Sequence, residues 1–254
     1  NNRYTAGVPD NGNLCYGYGT TVTECYMAAT QPSIYGNLVA YAAKSPNTGY
    51  FDIAFYEIDT GKSIPPKPAY VDSASPSIWE NLFTFYIPNS AGWSNIDYYY
   101  YKTGVGGSLT HNPSNAYFPR VYGGIIVWYE YKLEYNPQLG YKENNYDIYY
   151  FNKTAGKIVR LTTDFSYQGR PDIYGDKIVW EDDRKGNADI YLYDLTTKTE
   201  TKITTEPHAQ RYPRIHENRV VYEDYRSGKP NIYLYDFTTG EETQLTYNER
   251  SEQY

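Results

Sequence analysis

Between Pro171 and Tyr212 apolar and polar positions alternate in short runs, broken by Gly, Asn, Asp and Pro: P-D-I-Y-G-D-K-I-V-W-E-D-D-R-K-G-N-A-D-I-Y-L-Y-D-L-T-T-K-T-E-T-K-I-T. Period-two alternation rich in Ile, Val and Tyr predicts strands, and the punctuating residues predict turns. Four strands are expected: a P-x-I-x opening, then Lys177 to Trp180, Asp189 to Tyr193 and Glu200 to Ile203. The next 42 residues, Pro213 to Tyr254, repeat the pattern with Arg219 to Tyr222, Asn231 to Tyr235 and Glu242 to Leu245.

The same unit runs backwards through the chain. Pro119 opens P-R-V-Y-G-G-I-I-V-W at a spacing of 52, Pro76 opens P-S-I-W-E-N-L-F-T-F-Y at 43, and Pro32 opens P-S-I-Y-G-N-L-V-A-Y at 44. Aligned on these, residues 1–31 supply three strands, Arg3 to Ala6, Asn13 to Tyr18 and Val22 to Met27, and lack an opening one. A four-stranded unit at roughly 40 to 45 residues is the sequence form of a β-propeller blade. The expectation is therefore an all-β, single-domain, six-bladed β-propeller of four-stranded antiparallel blades. Its repeats are 1–31 (partial), 32–75, 76–118, 119–170, 171–212 and 213–254, and its first blade is closed by both chain ends. Closure falls to residues 248–254 or a continuation of the chain, with strand donation from a neighbouring molecule as the alternative.

The run P-D-I-Y-G-D-K-I-V-W-E-D-x-R-x-G-N-x-D-I-Y-L-Y-D-L-T-T resembles the TolB-type, WD40-like propeller repeats of archaeal and bacterial cell-surface proteins. The resemblance covers residues 119–254 in full and 32–118 more loosely. It implies a propeller that serves as a protein-binding platform, a cell-envelope component or an enzyme scaffold. Fold likeness does not choose among these.

Composition narrows the setting. The 11 Lys and Arg of residues 171–254 face 17 Asp and Glu, and the whole chain carries a net charge of −7. An acidic chain without a basic stripe argues against nucleic acid and anionic membranes, and no apolar run is long enough to span a bilayer. The chain begins N-N-R-Y-T, as if a targeting segment had been removed. Cys15 and Cys25, the only two cysteines, fall opposite each other on a predicted hairpin. A Cys15–Cys25 disulfide and an extracellular or cell-surface location are expected. Asn152-Lys153-Thr154 is an N-glycosylation sequon in a predicted turn. The 34 Tyr are the compositional outlier, and about half of Tyr98-Tyr99-Tyr100-Tyr101 should be exposed because strand faces alternate.

Candidate chemistry is sparse. The repeat beginning at Pro119 carries 10 extra residues, lying within Tyr129 to Tyr146. Tyr129, Tyr131, Tyr135, Tyr141 and Tyr146 then form either a recognition loop for protein or glycan or a plain hairpin extension. Arg120, Asp172 and Arg214, just after the opening prolines, are expected to line a channel with Ser33 and Ser77. His216 occupies the slot held elsewhere by Tyr35, Trp79, Tyr122 and Tyr174, which suggests a structural role at that channel. The acidic cluster Glu181, Asp182 and Asp183, with Asn187 and Asp189, could offer oxygen ligands to calcium, but lacks the order of a calcium loop; otherwise no metal or cofactor is expected. The Asp or Asn opening every third strand is read as a fold residue that hydrogen-bonds the preceding turn. The favoured function is a non-catalytic binding or assembly module at the cell surface. A polysaccharide lyase or hydrolase and a structural subunit of a layer or filament are the alternatives.

Overall fold

The computed structural model describes residues 14–18, 21–26, 29–44, 50–64, 74–88, 92–111, 113 and 115–247, those up to 30 as backbone only. Its elements are all strands: β1 (Leu14–Tyr18), β2 (Thr21–Tyr26), β3 (Ala29–Tyr35), β4 (Leu38–Lys44), β5 (Phe51–Glu57), β6 (Lys62–Ile64), β7 (Ala74–Trp79), β8 (Leu82–Pro88), β9 (Ser94–Tyr100) and β10 (Val105–Ser108). There follow β11 (Ala116–Tyr122), β12 (Ile125–Asn136), β13 (Tyr141–Asn152), β14 (Lys157–Arg160), β15 (Gln168–Tyr174), β16 (Lys177–Asp182), β17 (Asp189–Asp194) and β18 (Thr199–Lys202). The last four are β19 (Gln210–His216), β20 (Arg219–Asp224), β21 (Asn231–Asp236) and β22 (Glu241–Gln244).

These strands make five four-stranded antiparallel sheets in sequence order, β3-β4-β5-β6 through β19-β20-β21-β22, and a two-stranded sheet β1-β2. The fold is a propeller of five such blades, not the six expected. The count fails at the first repeat, where only the β1-β2 hairpin is formed among the described residues. Arg3–Ala6 and the expected closing strand 248–254 lie outside the described residues.

Strand chemistry follows depth. Ile178, Val179 and Trp180 of β16 are buried on both faces, hence their continuous apolar run. The fourth strands β10, β18 and β22 are polar or Gly-rich and largely exposed, and β14 has Lys157 and Arg160 at its ends, which blunts them as sheet edges. The chain forms two compact units, residues 1–124 and 125–254. In the first, Leu38, Ala40, Ile53 and Phe55 pack with Ile78, Phe83 and Phe85. In the second, Val179, Ile190 and Leu192 pack with Ile215, Val220, Tyr222 and Tyr233. Each cluster joins neighbouring sheets, so burial of apolar faces holds blade to blade.

The opening strands share a device the sequence does not announce. In each, the residue before the proline has left-handed φ: Gln31, Ser75, Phe118, Arg170 and Tyr212, all between 51° and 57°. The ladder slips there, giving a β-bulge at Thr30/Ser33, Ala74/Ser77, Gly169/Asp172 and Arg211/Arg214. The residue after the proline then staples the next blade. Ser33 Oγ accepts from Ile78 N (3.2 Å), Ser77 Oγ from Val121 N (3.1 Å) and Asp172 Oδ2 from Ile215 N (2.9 Å).

A second recurring device concerns Thr. Thr110, Thr162, Thr204 and Thr246 each accept from the backbone N–H at the start of the third strand, at Ile96, Ile148, Ile190 and Ile232 (2.8 to 2.9 Å). In three of these the Asp or Asn before that N–H receives the Thr hydroxyl: Thr162 to Asp147 at 3.1 Å, Thr204 to Asp189 at 3.4 Å and Thr246 to Asn231 at 3.5 Å. The recurring acid thus serves the fold, but through the Thr after the fourth strand more than through the preceding turn. Only Asn231 also reaches back, donating to Ser227 Oγ (2.8 Å) among the described residues.

Candidate functional site

The insertion is strand rather than loop. β12 and β13 stay in register from Ile125↔Asn152 to Asn136↔Tyr141, well past the outer strand β14, which pairs only with Tyr149 to Asn152. Period-two alternation drives this, and the turn is set by Asn136, whose Oδ1 accepts from Gln138 N (2.9 Å), and by Gly140 at φ 78°.

The two faces of the hairpin differ in chemistry. One carries Glu130, Lys132, Glu134, Asn145 and Asp147, knitted together by Arg160 from β14. Arg160 grips Glu134 with two bonds (3.0 and 2.8 Å) and also pairs with Asp147; Asn145 donates to Glu134 (3.2 Å), and Lys132 pairs with Glu130 (2.8 Å). Burial pushes the Asp147 carboxyl up to about 6, outweighing Arg160. Burial also raises Glu134, but hydrogen bonds from Arg160 and Asn145 overcome it and hold that carboxyl below the usual range. A bidentate, networked arginine resists fraying in a way a lone surface pair does not.

The opposite face carries Tyr129, Tyr131, Leu133 and Tyr135, with Tyr146 across from Tyr131. Leu133 is 63% exposed and Tyr135 59%; beside the turn Leu139 is 50% exposed, and Tyr141, 58% exposed, pairs with Asn136 and so falls by alternation on the ionic side of the hairpin. These are large apolar side chains left open on a braced hairpin. At its base the tyrosines pack inward. The Tyr131 and Tyr146 rings lie 5.0 Å apart, and Tyr167 meets Tyr146 at 5.4 Å and Tyr129 at 6.2 Å.

Tyr167 is fixed in turn by Gly169. A Cβ at Gly169 would come within 2.1 Å of the Tyr167 hydroxyl, so the ring occupies the space a side chain would need. Beyond it lie the strained residues Arg170 and Tyr212, with the Arg170 guanidinium 4.2 Å over the Tyr212 ring. Both are tied to Glu181, which is fully buried. Arg170 Nε stands 2.8 Å from one oxygen, off the line of its N–H; Tyr212 N donates to the other (3.4 Å), and Arg211 lies 4.0 Å away. Burial pushes the Glu181 carboxyl up despite both arginines, and burial first, then the Glu181 charge, push the Tyr167 phenol up. The result is a continuous aromatic and arginine surface running from the hairpin to β15 and β19.

Among the five insertion tyrosines, the structure gathers Tyr129, Tyr131 and Tyr146 at the hairpin base and leaves Tyr135 and Tyr141 open farther out. Tyr167, Arg170, Arg211 and Tyr212, which the sequence reading did not single out, lie beside them with Glu181, which it had read only as part of an acidic cluster. Arg170, Arg211 and Tyr212 carry one sequence signal, their position just before an opening proline. Of the residues expected at a channel, Asp172 is a staple, and Arg120 and Arg214 donate to the carbonyls of Pro119 and Pro213 (3.0 and 2.7 Å). His216 packs against Tyr174 with tilted rings 4.6 Å apart, as Tyr35 does against Trp79 (6.1 Å) and Trp79 against Tyr122 (5.8 Å).

The calcium candidates are engaged elsewhere. Asp182 holds Trp180 Nε1 and Arg184, Asp183 accepts from Tyr167 N, Asn187 donates to His208 O, and Asp189 pairs with Lys202 at 2.7 Å. No three His, Cys, Asp or Glu gather as a metal site among the described residues. Asn152 closes β13, its Oδ1 accepting from Ala155 N (3.1 Å) in an exposed turn. Cys15 and Cys25 are direct Cα partners in the β1-β2 ladder; their side chains lie outside the described residues.

Blades of this build, opened by a bulged proline strand and closed by a polar edge, define a β-propeller, and its structural neighbours make it TolB-like. Agrobacterium tumefaciens TolB matches at a TM-score of 0.62 and 15% identity, over 89% of this chain and 83% of that one. Acinetobacter baumannii TolB matches at 0.61 and 17%, over 92% of this chain and 58% of its own. A Mycobacterium tuberculosis puromycin-hydrolyzing peptidase matches at 0.64 and 12%, over 95% of this chain and 42% of the peptidase. At these identities the likeness is one of fold. No family model and no curated protein matches the chain.

Proposed function

We propose that this chain is a non-catalytic, protein-binding propeller of the cell surface or extracellular space, with the β12–β13 hairpin as its recognition element. The observation that carries the reading is the asymmetry of the hairpin, ionic and locked on one face, aromatic and open on the other. Exposed Tyr and Leu held on a rigid element lose little conformational entropy on binding, which is the chemistry of interface hot spots. The TolB-like fold is consistent with a binding or assembly module, while the peptidase neighbours share the fold alone. A Cys15–Cys25 disulfide and a glycan on Asn152 accompany the same setting in this proposal.

The test is a photo-crosslinking residue at Tyr135, with the same residue at Thr197 in the β17–β18 turn as control, applied to protein in its native extract. The reading expects a polypeptide adduct from position 135 alone. A carbohydrate adduct, or equal labelling from both positions, refutes it.

A further inference from the structure

In the first unit a cleft of about 530 Å³ lies between neighbouring blades, lined by Tyr35, Asn37, Leu38, Glu57, Glu80 and Tyr101, with Lys102 at its border. This volume falls within the range of small-ligand sites. The internal repeat shows what belongs there, because the last two blades contain the same slot residue for residue. Tyr35 matches Tyr174, Asn37 matches Asp176, Leu38 matches Lys177, Glu57 matches Asp194, Glu80 matches Glu217, Asn81 matches Asn218 and Tyr101 matches Phe237.

The ladders confirm the match. Leu38 pairs with Glu57 as Lys177 pairs with Asp194. Tyr101 N donates to Asn81 O (2.9 Å) as Phe237 N does to Asn218 O (2.8 Å). Glu80 and Glu217 even share left-handed φ, 52° and 51°.

In the later slot an ammonium group is supplied by the chain itself: Lys177 Nζ stands 3.0 Å from Asp176 and 3.6 Å from Asp194. The last blade repeats the device with Arg219 and Asp236 at 2.9 Å. In the first unit the cation is replaced by Leu38, but its carboxylate persists as Glu57. Tyr101 Oη (2.6 Å) and Thr60 Oγ1 (2.9 Å) donate to Glu57, satisfying its lone pairs without neutralising its charge. Those bonds, Tyr101 first, hold the Glu57 carboxyl below its usual range, so it is ionised. Lys62, the Cα partner of Glu57 across the β5–β6 ladder, adds a weaker attraction that also lowers the carboxyl, and the cation that would sit at position 38 is absent. Tyr35, 40% exposed, adds an aromatic face of the kind that attracts cations.

We infer that this cleft binds an alkylammonium group, such as the end of a lysine side chain or of a small diamine, in the place that Lys177 fills in the sister slot. The inference concerns the first unit and stands independently of the hairpin.

The test is titration of isotopically labelled full-length protein, followed by backbone amide shifts of Asn37, Asn81 and Tyr101. The probes are Nα-acetyl-lysine methylamide and butane-1,4-diamine, with the Nε-acetylated lysine derivative and maltose as neutral comparators. Both amines, or one of them, should shift these amides while the comparators do not, and the stronger amine identifies the source. Glu57→Gln should weaken binding about fivefold, the upper end for a partly exposed ion pair. Leu38→Lys should abolish it by filling the slot from within. Absence of amine-dependent shifts, equal response to a neutral comparator, or undiminished binding by Leu38→Lys or Glu57→Gln overturns the inference. Glu57→Gln alters a half-exposed side chain, so that arm remains decisive should Leu38→Lys disturb the core.

Discussion

Gly169→Ala is the sharpest perturbation of the aromatic surface. The added methyl would lie 2.1 Å from the Tyr167 hydroxyl, 2.3 Å from Cζ and 2.8 Å from Cε1, so the ring must move. Gly169 does not have left-handed φ, so backbone strain does not enter. Moving the ring gives up its packing with Tyr129 and Tyr146, each aromatic pair being worth about 0.5–1.5 kcal/mol. The sum, about 1–3 kcal/mol, is the usual cost of overpacking. In a chain of this size it corresponds to a fall in Tm of roughly 2–4 °C per kcal/mol. The assay is urea denaturation of Gly169→Ala, Tyr167→Ala and the double variant. With the ring gone, Ala at 169 should be neutral or stabilise by a few tenths of a kcal/mol through the unfolded chain. The cycle should therefore show a coupling of about 1 kcal/mol or more. A Gly169→Ala cost below about 0.5 kcal/mol, or the same cost with and without the Tyr167 ring, refutes the reasoning.

Further outcomes follow from the staples and charges. Asp172→Ala leaves the Ile215 N–H without its acceptor and should cost about 1–3 kcal/mol by denaturation, with faster hydrogen exchange at Ile215, whereas Asp172→Asn should keep most of the stability. Asp147 has a folded pKa pushed by burial to about 6, above the ordinary 3.8, so its contribution is present below about pH 4 and lost as pH rises through about 6. Denaturation from pH 4 to 7 should show that decline in the native protein and a shallower one in Asp147→Asn. If Cys15 and Cys25 are bridged, iodoacetamide should label neither until a reductant is added; labelling of unreduced, denatured protein counts against the bridge.

The blade register was legible because proline and period-two alternation are properties of residue type. Lys177 to Trp180, Asp189 to Tyr193 and Arg219 to Tyr222 all fall inside observed strands. So did the hairpin register that sets Cys15 against Cys25. The bulge was not legible. Gln31, Ser75, Phe118, Arg170 and Tyr212 share no side-chain character, and a residue before proline is ordinarily extended. Their left-handed φ goes with the register slip of the opening strands, and two of them, Arg170 and Tyr212, meet at Glu181. The insertion was legible in place, and its form was one of two readings, recognition loop or hairpin extension, of which the continuous ladder selects the hairpin. The staples illustrate the same limit. Ser33, Ser77 and Asp172 were recognised as equivalent positions, but hydrogen bonding to a neighbouring blade cannot be seen from one repeat.

The most direct test of the binding account is affinity. The polypeptide captured at position 135 should be purified and its Kd measured by surface plasmon resonance against the native protein and a Leu133→Ser, Tyr135→Ser, Tyr141→Ser variant. With hot-spot side chains removed, the account predicts a loss of at least about thirtyfold with no change in secondary structure by circular dichroism. An unchanged Kd in a folded variant contradicts it.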